Sequence, residues 1–85
     1  MLKIALGSAA QKFLNKAEKQ LYGRLRGKIK ELAIDTFPHG CKRVVNRKEK
    51  TFRIRVGDYR ILYAVFYEKN EVYISEIEKR PKAYD

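Results

Sequence analysis

The segment 51–67, TFRIRVGDYRILYAVFY, constrains the fold of this chain more than any other part of the sequence. Apolar and polar residues alternate on both sides of Gly57-Asp58, which predicts two β-strands joined by a two-residue turn with both turn residues at positive φ. Such a hairpin places Arg55 directly opposite Arg60, with Arg53 on the same face. The other face then collects the side chains of an apolar core: Phe52, Ile54, Val56, Tyr59, Ile61 and Tyr63.

The arginine face of this hairpin needs an explanation. Like charges that face each other across two strands destabilise a hairpin by roughly 0.2–1 kcal/mol per pair. No carboxylate is interleaved with the arginines in the two strands, so we expect an external anion at this face. Planar guanidinium groups bind phosphate through paired hydrogen bonds, which makes phosphate the expected anion. The alternative is a basic face that is simply solvated.

Composition favours one small domain, residues 1–85, with a polyanionic partner. The chain has 20 Lys and Arg against 10 Asp and Glu, a net charge of +10 for 85 residues. A single cysteine, Cys41, excludes an internal disulfide and fits a reducing compartment. Cys41 and the single histidine, His39, cannot form a zinc site by themselves. We therefore expect a cytoplasmic protein with no membrane span, no metal site and no cofactor.

The first half of the chain predicts a strand and a pair of helices. Residues 2–6 (LKIAL) are a short strand candidate that ends at Gly7. Ser8 is expected to cap the following helix, with Gln11 completing a capping box. Apolar residues at helical spacing continue to about Ala33. A break near Lys19–Gly23 would divide this segment into an αα-hairpin, because one rod of that length would exceed the width of so small a domain.

The second half predicts an antiparallel meander. Val44-Val45 is expected to begin a strand before the arginine hairpin, and a turn at Glu68–Asn70 leads into a last strand over residues 72–77. The register of that strand stays open, because one residue more in the turn exchanges its two faces. The whole is an α+β domain with an N-terminal strand, a two-helix hairpin and a meander, the helices covering one sheet face.

The run FRIRVGDYRILY, followed by an isoleucine-bearing strand and KRPKAY, resembles the RelE/ParE toxin superfamily, and within it the RelE branch. The resemblance extends over almost the whole chain. It implies a RelE-like fold and the toxin of a type II toxin–antitoxin pair. It also implies a ribosome-dependent endoribonuclease, an mRNA interferase, that cleaves messenger RNA by attack of a 2′-hydroxyl on the adjacent phosphate.

The resemblance also implies site residues. Five match the family's catalytic positions, namely Arg53, Arg55, Arg60, Arg80 and Tyr84, and Lys79 and Lys82 join the two strand arginines Arg53 and Arg55 as RNA-binding residues. Well-known relatives carry lysines at the two strand positions. Arginine stays protonated in this pH range, so it can stabilise charge but cannot accept the 2′ proton. Tyr84 or a ribosomal atom would have to do so.

The partners that follow from the resemblance are an acidic, RelB-like antitoxin, the small ribosomal subunit and messenger RNA, with operator DNA bound only by the toxin–antitoxin complex. The alternative function is a non-catalytic inhibitor or nucleic-acid-binding module of the same fold, including a ParE-like toxin directed at DNA gyrase. The combination of strand arginines with Arg80 and Tyr84 favours the RelE branch, since pure binding needs only cations anywhere on the face.

Overall fold

The computed structural model describes residues 1–45 and 47–79. Its two helices are α1 (Ser8–Lys16) and α2 (Lys19–Ile34), and Tyr67–Lys69 forms a short 3-10 turn. The five strands are β1 (Lys3–Leu6), β2 (Lys42–Val44), β3 (Thr51–Val56), β4 (Tyr59–Phe66) and β5 (Glu71–Lys79). The expected α+β order of strand, two helices and meander is confirmed.

The strands form one mixed sheet in the order β1-β5-β4-β3-β2. Strands β2 to β5 pair antiparallel, as the meander predicts, and β1 adds to β5 in parallel. The arginine hairpin has the expected register, with Arg55 opposite Arg60 and Ile54 opposite Ile61. One sheet face is therefore apolar and the other carries the arginines.

Both helices pack on the apolar face, and the core lies between them and the sheet. Tyr63 and Ile74 of the sheet are fully buried in one core cluster with Leu25 and Ile29 of α2. Phe13 of α1 meets Tyr59 edge-on, with ring centroids 5.7 Å apart. The opposite, arginine-bearing face has no helix over it in the described part of the chain.

The expected capping box at Ser8 is wrong. Gly7 is the N-cap of α1, and no side chain caps this helix. The Gly7 amide donates a hydrogen bond to the carbonyl of Ile74 at 2.8 Å, so sheet pairing extends to Gly7 and Ser8 becomes the first helical residue. Only Gly7 lies between β1 and α1, and glycine has no side chain that could cap the helix.

The two-helix hairpin is confirmed, but the break lies slightly before the expected Lys19–Gly23. It falls at Ala17 and Glu18, and the Glu18 carboxylate accepts a hydrogen bond from the Leu21 amide at 3.0 Å. Gly23 lies inside α2, and a Cβ placed there would meet no atom within 4 Å. Gly23 therefore does not mark the break between the two helices.

The hairpin turn differs from the expectation in one dihedral angle. Gly57 has a φ of 59°, whereas Asp58 is not among the residues with positive φ. A positive φ at the first central residue alone is the pattern of a type II′ turn, which favours glycine at that position. The turn therefore depends on Gly57 and not on a property of Asp58.

A β-bulge settles the register of the last strand. Tyr63 pairs with Ile74 while Leu62 pairs with Glu76, so Ser75 is the extra residue of β5. Before the bulge Val72 and Ile74 face the core, and beyond it Ile77 does. Neither uniform register was right, because an inserted residue exchanges the two faces partway along the strand.

Candidate functional site

The open sheet face carries a cationic groove of about 270 Å³. Four arginines line it, Arg43, Arg47, Arg53 and Arg60, with Glu78 as its single carboxylate, so its formal charge is +3. Leu62, directly opposite Arg53, forms part of its lining and is only 2% exposed. We call this the arginine groove. A concave cationic surface of this kind binds anions because low-dielectric walls strengthen the field.

Strand β5 brings a carboxylate to this face. Arg60 lies opposite Glu78 in the sheet, and its Nε donates a hydrogen bond to Glu78 Oε1 at 2.6 Å. The side chains are 26% and 37% exposed. The hairpin strands carry no carboxylate between the arginines, but the expectation is wrong for the sheet as a whole. Glu78 lies beside the arginine pair and offsets part of its repulsion.

A second ion pair crosses the open face. Arg47, in the segment between β2 and β3, contacts Glu76 of β5 through Nη1 and Oε2 at 3.1 Å. This contact joins the connecting segment to the far strand over the intervening β3 and β4. Arg47 lines both the arginine groove and a second cavity beside it.

The structure brings two of the residues expected at the site into one groove, Arg53 and Arg60. Arg55 is opposite Arg60 in the backbone register but lines a neighbouring cleft with Lys28, His39 and Lys42. That cleft has a volume of about 360 Å³. The three expected strand arginines are thus divided between two cationic cavities.

The remaining expected residues are placed elsewhere or lie outside the described part of the chain. Lys79 pairs with Tyr59, so strand alternation places it on the helical face and not with the arginines. Arg80, Lys82 and Tyr84 lie outside the described residues. Their roles stay predictions.

Three groove residues were not among the residues that the sequence singled out: Arg43, Arg47 and Glu78. Arg43 and Arg47 belong to a basic run, RVVNRKEK, whose positive charge was visible. Nothing local in that run shows that it returns over the sheet. Glu78 could have been found only from the register of β5, which the bulge obscured.

Tyr63 is fully buried, and its role is structural. Its hydroxyl donates a hydrogen bond to the carbonyl of Thr36 at 2.7 Å. Burial raises the pKa of the Tyr63 phenol well above its ordinary value. It therefore stays neutral and fixes the loop after α2 to the sheet.

Residues 1–45 and 47–79 contain no group of three His, Cys, Asp or Glu side chains that could hold a metal ion. Within the same ranges, no helix is both long and apolar enough to cross a bilayer.

Solved structures share this fold. An archaeal RelE toxin in complex with RelB, from Pyrococcus horikoshii, superposes with a TM-score of 0.81 at 20% identity, covering 95% of this chain and 97% of that chain. The isolated Escherichia coli RelE toxin gives 0.81 at 18% identity, with coverages of 96% and 87%. A RelBE toxin–antitoxin complex from Mycobacterium tuberculosis gives 0.76 at 22%, with coverages of 93% and 98%.

Sequence comparison identifies the family. None of the curated proteins compared with the chain matches it significantly. The family model described as "ParE toxin of type II toxin-antitoxin system, parDE" matches residues 4–84, nearly the full length. The expected resemblance to the RelE/ParE superfamily is confirmed, and this chain belongs to the ParE toxin family of type II toxin–antitoxin systems.

Proposed function

We propose that this toxin is a ribosome-dependent endoribonuclease that cleaves messenger RNA in the manner of the RelE branch. The observation that carries the proposal is the arginine groove, in which Arg53 and Arg60 converge on a concave surface of formal charge +3. Guanidinium groups in that arrangement fit a phosphodiester and the charge that builds on it during cleavage. The fold shared with RelE toxins is consistent with this assignment.

The proposed reaction is an internal transesterification. The 2′-hydroxyl gives up its proton as its oxygen attacks the adjacent phosphorus and a P–O2′ bond forms. The P–O5′ bond breaks and the 5′-oxygen takes up a proton, which gives a 2′,3′-cyclic phosphate and a 5′-hydroxyl. Negative charge accumulates on the non-bridging oxygens in the transition state. Arg53 and Arg60 stabilise that charge more strongly than the charge of the ground state, which is what accelerates the step.

Proton transfer needs a group other than these arginines, because a guanidinium keeps its proton throughout the working pH range. We propose that Tyr84 or a ribosomal atom accepts the 2′ proton. The phosphate contacts are assigned to Arg53, Arg55, Arg60 and Arg80. Lys82 would contact RNA beside this site.

An acidic antitoxin is the proposed protein partner. The net charge of +10 favours an acidic ligand. Two of the similar structures described above are toxin–antitoxin complexes, a RelE–RelB complex and a RelBE2 complex. Operator DNA would be bound only by the toxin–antitoxin complex.

A second candidate is inhibition of DNA gyrase or another non-catalytic role, which the ParE description of the matching family favours. Two assays on the same preparation separate the candidates. The proposed function predicts cut messenger with 2′,3′-cyclic phosphate ends in a purified translation reaction and normal supercoiling by gyrase. Inhibited supercoiling with intact messenger would overturn the proposal in favour of the second candidate.

A further inference from the structure

A second cavity lies beside the arginine groove on the same open sheet face. Its volume is about 350 Å³, and Arg47 lines both cavities. Along β4, Leu62 lines the groove and Ala64, two residues further on the same face, lines the second cavity. Two residues of a strand span about 6.8 Å. The two cavities are therefore adjacent places on one continuous surface.

The charge of the second cavity differs from that of the groove. Arg47 and Lys69 are matched there by Glu49 and Glu71, so the formal charge of its lining is zero. A balanced lining provides no net attraction for a phosphate. It suits a neutral group that carries hydrogen-bond donors and acceptors on a flat ring.

Two hydroxyls in this cavity are oriented as acceptors. Thr51 Oγ1 donates its hydrogen to the carbonyl of Glu49 at 3.2 Å, and Ser75 Oγ donates to the carbonyl of Leu62 at 3.2 Å. A hydroxyl has one hydrogen and two acceptor lone pairs. With both hydrogens committed to backbone carbonyls, these oxygens and the two carboxylates offer acceptors to a ligand.

Aromatic side chains complete the cavity. Phe66 lies beneath Lys69, whose Nζ is 5.5 Å from the ring centroid. The Tyr73 hydroxyl lies against Gly7, where a Cβ would come within 2.5 Å of it. The absence of a side chain at Gly7 leaves room for the phenol of Tyr73, and Tyr73 as a whole is 37% exposed. Aromatic rings of this kind stack on nucleobases.

We propose that this cavity binds the nucleobase next to the phosphate held in the arginine groove, and that it selects adenine and cytosine over uracil. The inference rests on the proposed function, since it takes RNA as the ligand. Adenine and cytosine present an amino donor at the position where uracil presents a carbonyl oxygen. Acceptors at Thr51 and Ser75 match the amino group and repel the carbonyl.

The test is a titration of the full chain by two-dimensional NMR with three RNA trinucleotides, UAU, UCU and UUU. We expect the backbone amides of Ala64, Tyr73 and Ser75 to shift, and UAU and UCU to bind about three- to tenfold more tightly than UUU, as one or two added hydrogen bonds would give. Thr51→Val and Ser75→Ala should each reduce this preference.

Tyr73 supplies a test that does not depend on the buried Thr51. Tyr73→Ala should weaken all three trinucleotides by at least about fivefold while preserving their order, since stacking tolerates any base. Tyr73→Phe should retain most of the affinity. Tyr67→Ala is the matched control, because Tyr67 is exposed and is absent from the lining of the cavity.

Equal affinity for the three trinucleotides would overturn the inference. Shifts confined to the arginine groove, around Arg53 and Arg60, would also overturn it while leaving the proposed function intact. Messenger cleavage on ribosomes is measured separately, so a failure of the proposed function appears as missing cleavage and a failure of this inference as missing base preference.

Discussion

Arg60 and Glu78 face each other across β4 and β5, joined by a 2.6 Å hydrogen bond from Arg60 Nε to Glu78 Oε1. A guanidinium has five N–H donors, and this bond uses one of them. The two terminal nitrogens keep the other four, which is the edge that binds phosphate in a bidentate manner. Glu78 thus holds Arg60 in place without occupying its phosphate-binding edge.

Replacing Glu78 tests this positioning role. Glu78→Ala frees the Arg60 side chain, so we expect single-turnover cleavage to fall about tenfold, with ribosome binding unchanged or slightly tighter because one negative charge is lost. Glu78→Gln keeps an acceptor for Nε and should recover most of the rate. Faster cleavage by Glu78→Ala would contradict the role and show that the carboxylate competes with the phosphate.

Arg60→Ala should change the free energy of unfolding by less than about 1 kcal/mol. Removal of the repulsion between Arg55 and Arg60 should raise the free energy of unfolding. Removal of the partly exposed ion pair with Glu78 should lower it. Urea denaturation of the free protein measures the balance, and a loss above about 2 kcal/mol would show that the Arg60–Glu78 pair is a major source of stability.

The alternation around the central hairpin was sufficient to predict the register of β3 and β4, the buried face and the position of Arg55 opposite Arg60. Local patterns could not reveal what depends on distant pairing. The bulge at Ser75 decides which residues of β5 lie beside the arginines. In the sequence, the bulge is indicated only by apolar residues that fall on both faces of the predicted strand. The ion pair of Arg47 with Glu76 depends on the topology of the whole sheet. The sequence therefore showed that Arg47 is charged but not where it lies in the fold.

Tyr63 and Tyr67 provide a matched pair of hydroxyl deletions, since both contact Thr36. The buried Tyr63 hydroxyl donates to the Thr36 carbonyl, whereas the exposed Tyr67 hydroxyl lies 3.0 Å from Thr36 Oγ1. Tyr63→Phe should cost about 1–3 kcal/mol of unfolding free energy, because it leaves a part-buried carbonyl without its partner. Tyr67→Phe should cost less than about 0.5 kcal/mol. Thermal or urea melts compare the two, and equal losses would contradict the anchoring role of Tyr63.

The proposed transesterification predicts the ends of a cleaved messenger. Attack by the 2′-oxygen leaves a 2′,3′-cyclic phosphate, or its hydrolysed monophosphate, on the upstream fragment and a 5′-hydroxyl on the downstream fragment. Ligation methods that distinguish 5′-hydroxyl from 5′-phosphate ends provide the measurement. A 5′-phosphate on the downstream fragment would require attack by water and would contradict the proposed reaction.

The most direct test of the proposal that the arginine groove stabilises the transition state of RNA cleavage is single-turnover cleavage on programmed ribosomes, measured beside ribosome binding. Arg53→Ala and Arg60→Ala should each lower cleavage by roughly ten- to a thousandfold, or about 1.4–4 kcal/mol of transition-state stabilisation. Binding should change little, because affinity is spread over many cations.

Lys12→Ala, which replaces an exposed lysine on α1, is the control and should leave both cleavage and ribosome binding unchanged. Undiminished cleavage by both arginine variants, or equal losses of binding and cleavage, would contradict the claim.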